Sequence, residues 1–287
     1  MFRAWPVPVL MLAVAACHGD ARRRQPPDMR TLASSREFAG EKQLDAHIQF
    51  GGGTLTLKPA PAGTLYRASL QYDARRLTPA INYQDGQLNI GMKNGNVAFG
   101  GKHHRGNQLD VQLGTGVPLN LNVEYGAGSG DIELGGLTVS SARIATGASK
   151  TQLSISSPTV GDCQSLELQA GAAKVQVRGL GNLSPHSLRV EGGVGDLDLD
   201  FSGAWRGDTD AAVNMGMGSL RLNVPRGVGL RVHKSTVLAK LEGSGLNRQG
   251  DNYVSQGYEK TSRHLNVEIN AAFGSIHVNW IGDGSSF

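Results

Sequence analysis

The sequence predicts an all-β protein whose single domain is a β-solenoid. Three observations predict this fold class. Glycine accounts for 40 of 287 residues, about twice its usual share of roughly 7%. Apolar and polar residues alternate with a period of two through most of the chain after residue 45, which is the pattern of half-buried strands. A unit of strand, glycine-rich corner and second strand also recurs about every 22 residues.

The N-terminal residues predict export and a lipid anchor. An apolar stretch over residues 8–16 follows Arg3 and is too short to span a bilayer. It ends in small residues directly before Cys17, which resembles the bacterial lipobox, where the cysteine is acylated and becomes the mature N-terminus. Ordinary cleavage at an Ala-x-Ala pattern is the alternative. We therefore predict residues 1–17 as a lipoprotein signal peptide with lipidation at Cys17, and His18 beside it favours the outer membrane.

A basic linker is predicted over residues 18–44. It carries three consecutive arginines, a Pro-Pro pair and no apolar period, as a solvated tether does. The first 37 residues hold six arginines and three acids, so 22 basic and 21 acidic residues remain for the body. This nearly neutral body lacks the basic surface that nucleic-acid binding requires, so we expect no nucleic-acid partner.

Residues 45–281 are predicted as the solenoid domain, and residues 282–287 as a disordered tail. In Leu119–Tyr125 the apolar side chains fall on one face and Asn120, Asn122 and Glu124 on the other. We place the corners of the repeat at the last small residue of each unit: Gly130, Ser149, Ala173, Gly195, Gly218 and Gly274.

The spacing of these corners predicts stacked units, each called a rung below. Successive corners lie 19, 24, 22 and 23 residues apart, and the last gap is 56. One rung cannot bury its own apolar face, but stacked rungs line one continuous core. The long gap leaves room for a degenerate rung near 228–241 and an excursion over 243–263. A two-sheet sandwich, the alternative, explains the strands but not the regular repeat.

Several segments resemble the toast-rack family of bacterial cell-envelope proteins. The corners over residues 126–128, 147–148, 171–172 and 216–218 are similar to the family's repeated Gly-Ala-Gly corners. Phe50–Leu57 resembles its opening rung, and the segments 79–90, 117–121, 224–232 and 251–258 resemble its other elements in order. The resemblance implies the β-solenoid fold. Some members resemble a Lia-type regulator of envelope stress and carry membrane helices before the domain, and others are adhesin-like.

Residues that could carry chemistry are few. Cys163 matches no cysteine-hydrolase pattern and is expected to be a buried thiol. His103 and His104 supply two metal ligands without a third at a suitable spacing. Asp196, Asp198 and Asp200 lie on one face of a strand, as a calcium site or an acid–base pair would, and also as any solvated face does. We expect no catalytic site, no metal and no cofactor.

Two functions remain open. The first is a non-catalytic lipoprotein, held on the membrane by its lipid anchor, that binds or scaffolds an envelope protein in stress response or adhesion. The second is a carbohydrate-active or glycan-binding β-helix. The excursion over 243–263 contains Tyr253 and Tyr258 among polar residues, which suits partner contact, although covering the end of the solenoid is the favoured role of the excursion.

Overall fold

The computed structural model describes residues 26–92 and 106–282, apart from the side chains of residues 236–237. The predicted signal peptide, Cys17, the histidine pair at 103–104 and the tail beyond 282 lie outside these ranges. The described residues form the strands β1 (Met29–Glu37), β2 (Leu44–Pro59), β3 (Thr64–Asp73), β4 (Pro79–Gln84), β5 (Gln87–Met92), β6 (Gln108–Leu113), β7 (Pro118–Glu133), β8 (Thr138–Ser154), β9 (Ser165–Arg178), β10 (Ser187–Asp200), β11 (Thr209–Pro225), β12 (Gly229–Glu242), β13 (Leu246–Gln249), β14 (Asn252–Ser255) and β15 (His264–Ile281). A one-turn helix α1 (Leu180–Leu183) and a 3₁₀ turn (Tyr258–Lys260) complete the elements.

Eight long strands stack in parallel as the rungs of the solenoid. Their order in space is β2-β7-β8-β9-β10-β11-β15-β12. Each strand bends at its corner into a first and a second arm, and neighbouring strands keep the same register through the bend. In β7, Leu119, Leu121, Val123 and Tyr125 of the first arm are buried, as the alternation predicts, and Ile132 is buried in the second arm. The predicted all-β solenoid of stacked rungs is confirmed.

Both arms and the connecting loops enclose one core. The loops form a short third side of each rung and contribute buried apolar side chains, including Leu137, Ile155, Leu183 and Phe201. These side chains belong to the same cluster as the inward rows of both arms. The corners therefore form an outer edge of the fold, with the core behind them.

The corner of β7 lies two residues earlier than the sequence pattern indicates. Ser149 of β8 pairs with Gly128, whereas Gly130 pairs with Thr151. Gly128 has a positive φ of +126°, as the corner glycines Gly195, Gly218 and Gly274 do. Gly130 faces inward, because a Cβ there would lie 2.6 Å from the hydroxyl of Tyr125. The prediction of Gly130 as the corner was wrong. Positions 128 and 130 are both glycine, so the sequence does not show which of them takes the bend.

The segment predicted as a linker contains a strand. β1 pairs with β3 in antiparallel fashion over its whole length, so residues 29–37 are part of the body. Ser34 also lies 3.0 Å from the hydroxyl of Tyr66, within hydrogen-bond distance. The strand is mostly exposed, so it needs little apolar sequence, and the period-two signal is weak for that reason.

The N-terminal end of the solenoid is covered by short strands. One edge of β2 pairs with β7, and its other edge is shared by β5 along the first arm and β6 along the second. β4 extends the first branch beyond β5, and β3 and β1 extend the second beyond β6. This covering removes the open edge that β2 would otherwise expose.

At the C-terminal end the order in space departs from the order in sequence. β15 lies between β11 and β12 and pairs in parallel with both. The predicted degenerate rung is confirmed as β12. The excursion forms the hairpin of β13 and β14, and β14 pairs with Arg231–His233 of β12. It therefore covers part of the outer edge of β12, as expected of a cap. No helix within residues 26–92 or 106–282 is long and apolar enough to cross a membrane.

Candidate functional site

Four large apolar side chains stand in one line along the corners of neighbouring rungs. Val194 pairs with Met217, Met217 with Phe273, and Phe273 with Leu238. Their exposed fractions are 58%, 53%, 47% and 67% for Val194, Met217, Phe273 and Leu238. We call this row the apolar ridge. It crosses four strands, hence three strand spacings or about 14 Å.

The ridge is distinct from the scattered apolar exposure that any protein surface shows. Within the described residues, six large apolar side chains are markedly exposed, and only Phe38 and Val160 lie off the ridge. On β7, β8 and β9 the same row continues as Ala127, Ala148 and Ala172. The large side chains are therefore concentrated on the C-terminal rungs of the solenoid.

Glycines flank two of the four ridge residues on both sides along the chain. Gly216 precedes Met217 and Gly218 follows it, and the equivalent positions in β10 are Gly193 and Gly195. Because glycine has no side chain, Val194 and Met217 have no flanking side chains on their own strands. At these two rungs the ridge consequently protrudes as a single file of apolar groups from the outer edge of the fold.

The second arms place charges two residues beyond the ridge. Beside the ridge this row reads Asp196, Ser219, Ser275 and Lys240, and it continues as Lys174 and Lys150 beside Ala172 and Ala148 on the next two rungs. Lys240 is bonded to Glu242 at 2.8 Å, and this contact raises the pKa of Lys240 and lowers that of Glu242. Over these six rungs the row carries three cations and one acid, and the two charges beside the ridge itself are Asp196 and Lys240.

The first arms carry a polar face instead. Arg143 donates to Glu167 at 3.0 Å and to Gln169 at 2.8 Å, and Gln169 donates to Glu191 at 3.2 Å. Between this face and the corners runs a shallow groove of about 850 Å³. Its floor is a column of glycines, and its polar lining is supplied by one row of successive rungs: Glu124, Gln169, Glu191, Asn214 and Asn270.

Tyr258, predicted as a partner contact, is buried. Its hydroxyl donates to Asn266 at 2.8 Å, its ring lies 4.6 Å from that of His264, and the guanidinium carbon of Arg231 lies 4.4 Å above it. Burial raises the pKa of Tyr258. Tyr253 is partly buried against the core. These positions anchor the excursion to the solenoid, and a contact role for the two tyrosines stays a prediction.

The residues that the sequence suggests for chemistry do not gather into one site. Asp196 is exposed, Asp198 lies 3.5 Å from Arg221, and Asp200 is buried and accepts a hydrogen bond from the backbone of Ser202. Cys163 is fully buried, and burial raises its pKa to about 12. Across the described ranges, no three His, Cys, Asp or Glu side chains gather closely enough to hold a metal ion.

Sequence reasoning missed the ridge, although its signal is present in the repeat. When the corners are aligned, the position directly before each corner residue reads Ala127, Ala148, Ala172, Val194, Met217 and Phe273. Alternation alone does not mark this position as outward, because each bend inserts a residue that interrupts the period of two. Only the register shows that these side chains share one line.

Comparison with known proteins gives a family match and several distant structures. The family model described as the N-terminal domain of toast_rack matches residues 25–178 and 163–223, more than half of the chain. A candidate cell adhesion protein from Clostridium sporogenes is 18% identical, with a TM-score of 0.48 over 88% of this chain and 100% of the other.

Two further structures are more distant. A candidate adhesin from Bacteroides fragilis is 13% identical, with a TM-score of 0.40 over 88% of this chain and 98% of the other. A candidate lipid binding protein from Parabacteroides distasonis is 12% identical, with a TM-score of 0.25 over 87% and 96%. A comparison with curated proteins gives no match.

Proposed function

Because the chain belongs to the toast-rack family, we propose that it is an exported, non-catalytic module of the cell envelope that binds another envelope component through the apolar ridge. The observation that carries this proposal is the alignment of Val194, Met217, Phe273 and Leu238 in one exposed row. Contiguous exposed apolar surface on a folded protein marks interaction sites. The finer role that we propose is envelope-stress response or adhesion, as the family resemblance implies.

The size of the ridge predicts a weak contact. Burying a large apolar side chain completely contributes about 1.5–3 kcal/mol, and each ridge side chain is already about half buried. With exposed fractions of 47–67%, the four together would contribute about 3–7 kcal/mol before the entropic costs of association. Such a contact is short-lived on its own, and it gains from a second attachment that raises the effective concentration.

Lipidation of Cys17 is the second attachment in this proposal. A cysteine that carries several acyl chains gives stable anchoring, whereas one chain gives marginal anchoring. Intact-mass analysis of the mature protein tests it, with acyl mass on Cys17 as the expected result. An unmodified N-terminus downstream of residue 17 would exclude the anchor. The proposed location is the outer membrane.

Site-specific photo-crosslinking in living cells tests the ridge. A photoreactive residue at Met217 or Phe273 should crosslink to an envelope component, lipid or protein, in reproducible yield. Val160 is the matched control, because its side chain is 59% exposed and lies off the ridge. Equal yields from Met217 and Val160 would exclude the ridge as the binding surface.

A glycan is the second candidate ligand, and the glycine-floored groove favours it. Amide and carboxylate groups along one wall suit hydrogen bonding to sugar hydroxyls, and the bare glycine floor permits close approach. Binding to envelope polysaccharide should then weaken in Asn214→Ala or Glu191→Gln and persist in Met217→Ser. Unchanged affinity in the groove variants would eliminate this candidate.

A further inference from the structure

We propose that the apolar ridge inserts into the surface of an anionic lipid bilayer, at the boundary between headgroups and acyl chains. The inference rests on the proposed function, in which the ridge is the contact surface. It identifies the envelope component that the ridge binds as the lipid bilayer. Three features of the structure support a bilayer rather than a protein groove: the shape of the ridge, the charges beside it and the reach of the N-terminal tether.

The shape of the ridge suits a deformable partner. It is one side chain wide, it runs along an outer edge of the fold, and bare glycines flank Val194 and Met217. A protein partner would need a complementary groove about 14 Å long to enclose such a line. A bilayer closes around protruding apolar groups without a preformed groove. Unbranched Met217 also adapts to an irregular environment.

The charges beside the ridge favour anionic lipid. On the second-arm side Asp196 and Lys240 lie beside the two ends of the ridge, and Lys174 and Lys150 extend the row along the same edge on the next two rungs. Lys240 is 80% exposed even while it contacts Glu242. Lysine side chains can lie along an apolar surface and extend their ammonium groups to lipid headgroups. The acids Glu124 and Glu191 belong to the polar face, beyond the glycine column.

The predicted anchor lies within reach of the same bilayer. The described structure begins at Pro26, nine positions after Cys17, and a chain of that length spans at most about 30 Å. From β2 to β12 the solenoid measures seven strand spacings, about 34 Å. A body tethered at its N-terminal end can therefore lie along the membrane with its corners downward, which brings the distant ridge to the surface.

An environment-sensitive dye on the ridge tests the inference in the full chain. We would substitute Met217→Cys, label it with nitrobenzoxadiazole and reconstitute the protein in phosphatidylcholine vesicles with and without phosphatidylglycerol. Val160→Cys is the matched control, and the unsubstituted chain corrects for labelling elsewhere. Cys163 is buried and should not react under native conditions. Circular dichroism before reconstitution verifies that both variants are folded.

The expected result is a rise of at least twofold in emission, with a blue shift, at position 217 and no change at position 160. The rise should be larger with phosphatidylglycerol. No change at position 217, or an equal change at both positions, would overturn the inference. If the dye remains in water while photo-crosslinks from Met217 lead to a protein, bilayer insertion fails and the proposed function stands. If neither signal is obtained, both fail.

Discussion

The carbonyl oxygen of Gly195 lies only 1.8 Å from the position that a Cβ atom on Gly218 would occupy. The two glycines pair on adjacent rungs, and Gly218 has φ +144°. At this pair of rungs the corners therefore stack so closely that Gly218 has no room for a side chain.

Gly218→Ala should destabilise the protein by roughly 3 kcal/mol, because it adds both an unfavourable backbone conformation and a clash with a backbone oxygen. Urea unfolding measures the loss. Gly207→Ala is the matched control, since no atom lies within 4 Å of its Cβ position, and its effect should stay within about 0.5 kcal/mol. Equal unfolding midpoints for the two variants would contradict this account of the corners.

The third side is held by Arg206, which links loops from three successive rungs. Its guanidinium donates to Thr159 Oγ1 at 2.9 Å and to the carbonyl of Leu183 at 2.9 Å. Arg206→Ala should cost about 2 kcal/mol and increase hydrogen exchange in both loops. Arg206→Lys should recover only part of the lost stability, because one ammonium group cannot reproduce the hydrogen bonds of a planar guanidinium. An exposed strand residue, Arg189, supplies the control, and loop exchange in Arg189→Ala should remain unchanged.

Cys163 should be inert in the folded protein. Its side chain is fully buried, and burial raises its pKa to about 12, so the reactive thiolate is scarce at pH 8. Ellman's reagent should titrate this thiol in urea but not in buffer. Fast labelling of Cys163 in buffer, with the signal compared against Cys163→Ala, would show that the loop around it opens readily.

The same thiol should make stability depend on pH at the alkaline end. The folded pKa of about 12 exceeds the ordinary value of 9.0, so this contribution is complete below pH 9 and declines as the pH rises towards 12. The decline is at most about 1.4 kcal/mol per pH unit. Unfolding free energies of wild type and Cys163→Ala should converge or cross over this window. Parallel curves would contradict the raised pKa.

Substitution of Tyr258 should lower the stability of the folded protein. Tyr258→Phe removes the hydrogen bond to Asn266 and should cost about 1 kcal/mol, whereas Tyr258→Ala also removes a buried ring and should cost about 3 kcal/mol. Differential scanning calorimetry of the two variants tests this order. If Tyr258→Ala unfolds like wild type but loses partner crosslinks, the residue is a contact and not an anchor.

Much of the architecture could be predicted from the sequence, because alternation and glycine spacing are local signals. The burial of Leu119, Leu121, Val123 and Tyr125 follows from their period of two, and the repeat predicts parallel stacking. β1 was missed because an exposed strand can be built from polar residues. The ridge was missed because Met217 and Phe273 become neighbours only through a register that spans 56 residues.

The insertion of β15 between β11 and β12 makes pairing of the C-terminal rungs depend on a strand that follows both of them in the sequence. Residues 226–228 alone join β11 to β12, yet the two strands lie two spacings apart in the finished fold, about 10 Å. Synthesis delivers β11 and β12 before β15, so pairing of the 18-residue strand β15 with both of them comes last. A chain broken before residue 264 would leave unpaired the edges of both β11 and β12 that β15 covers.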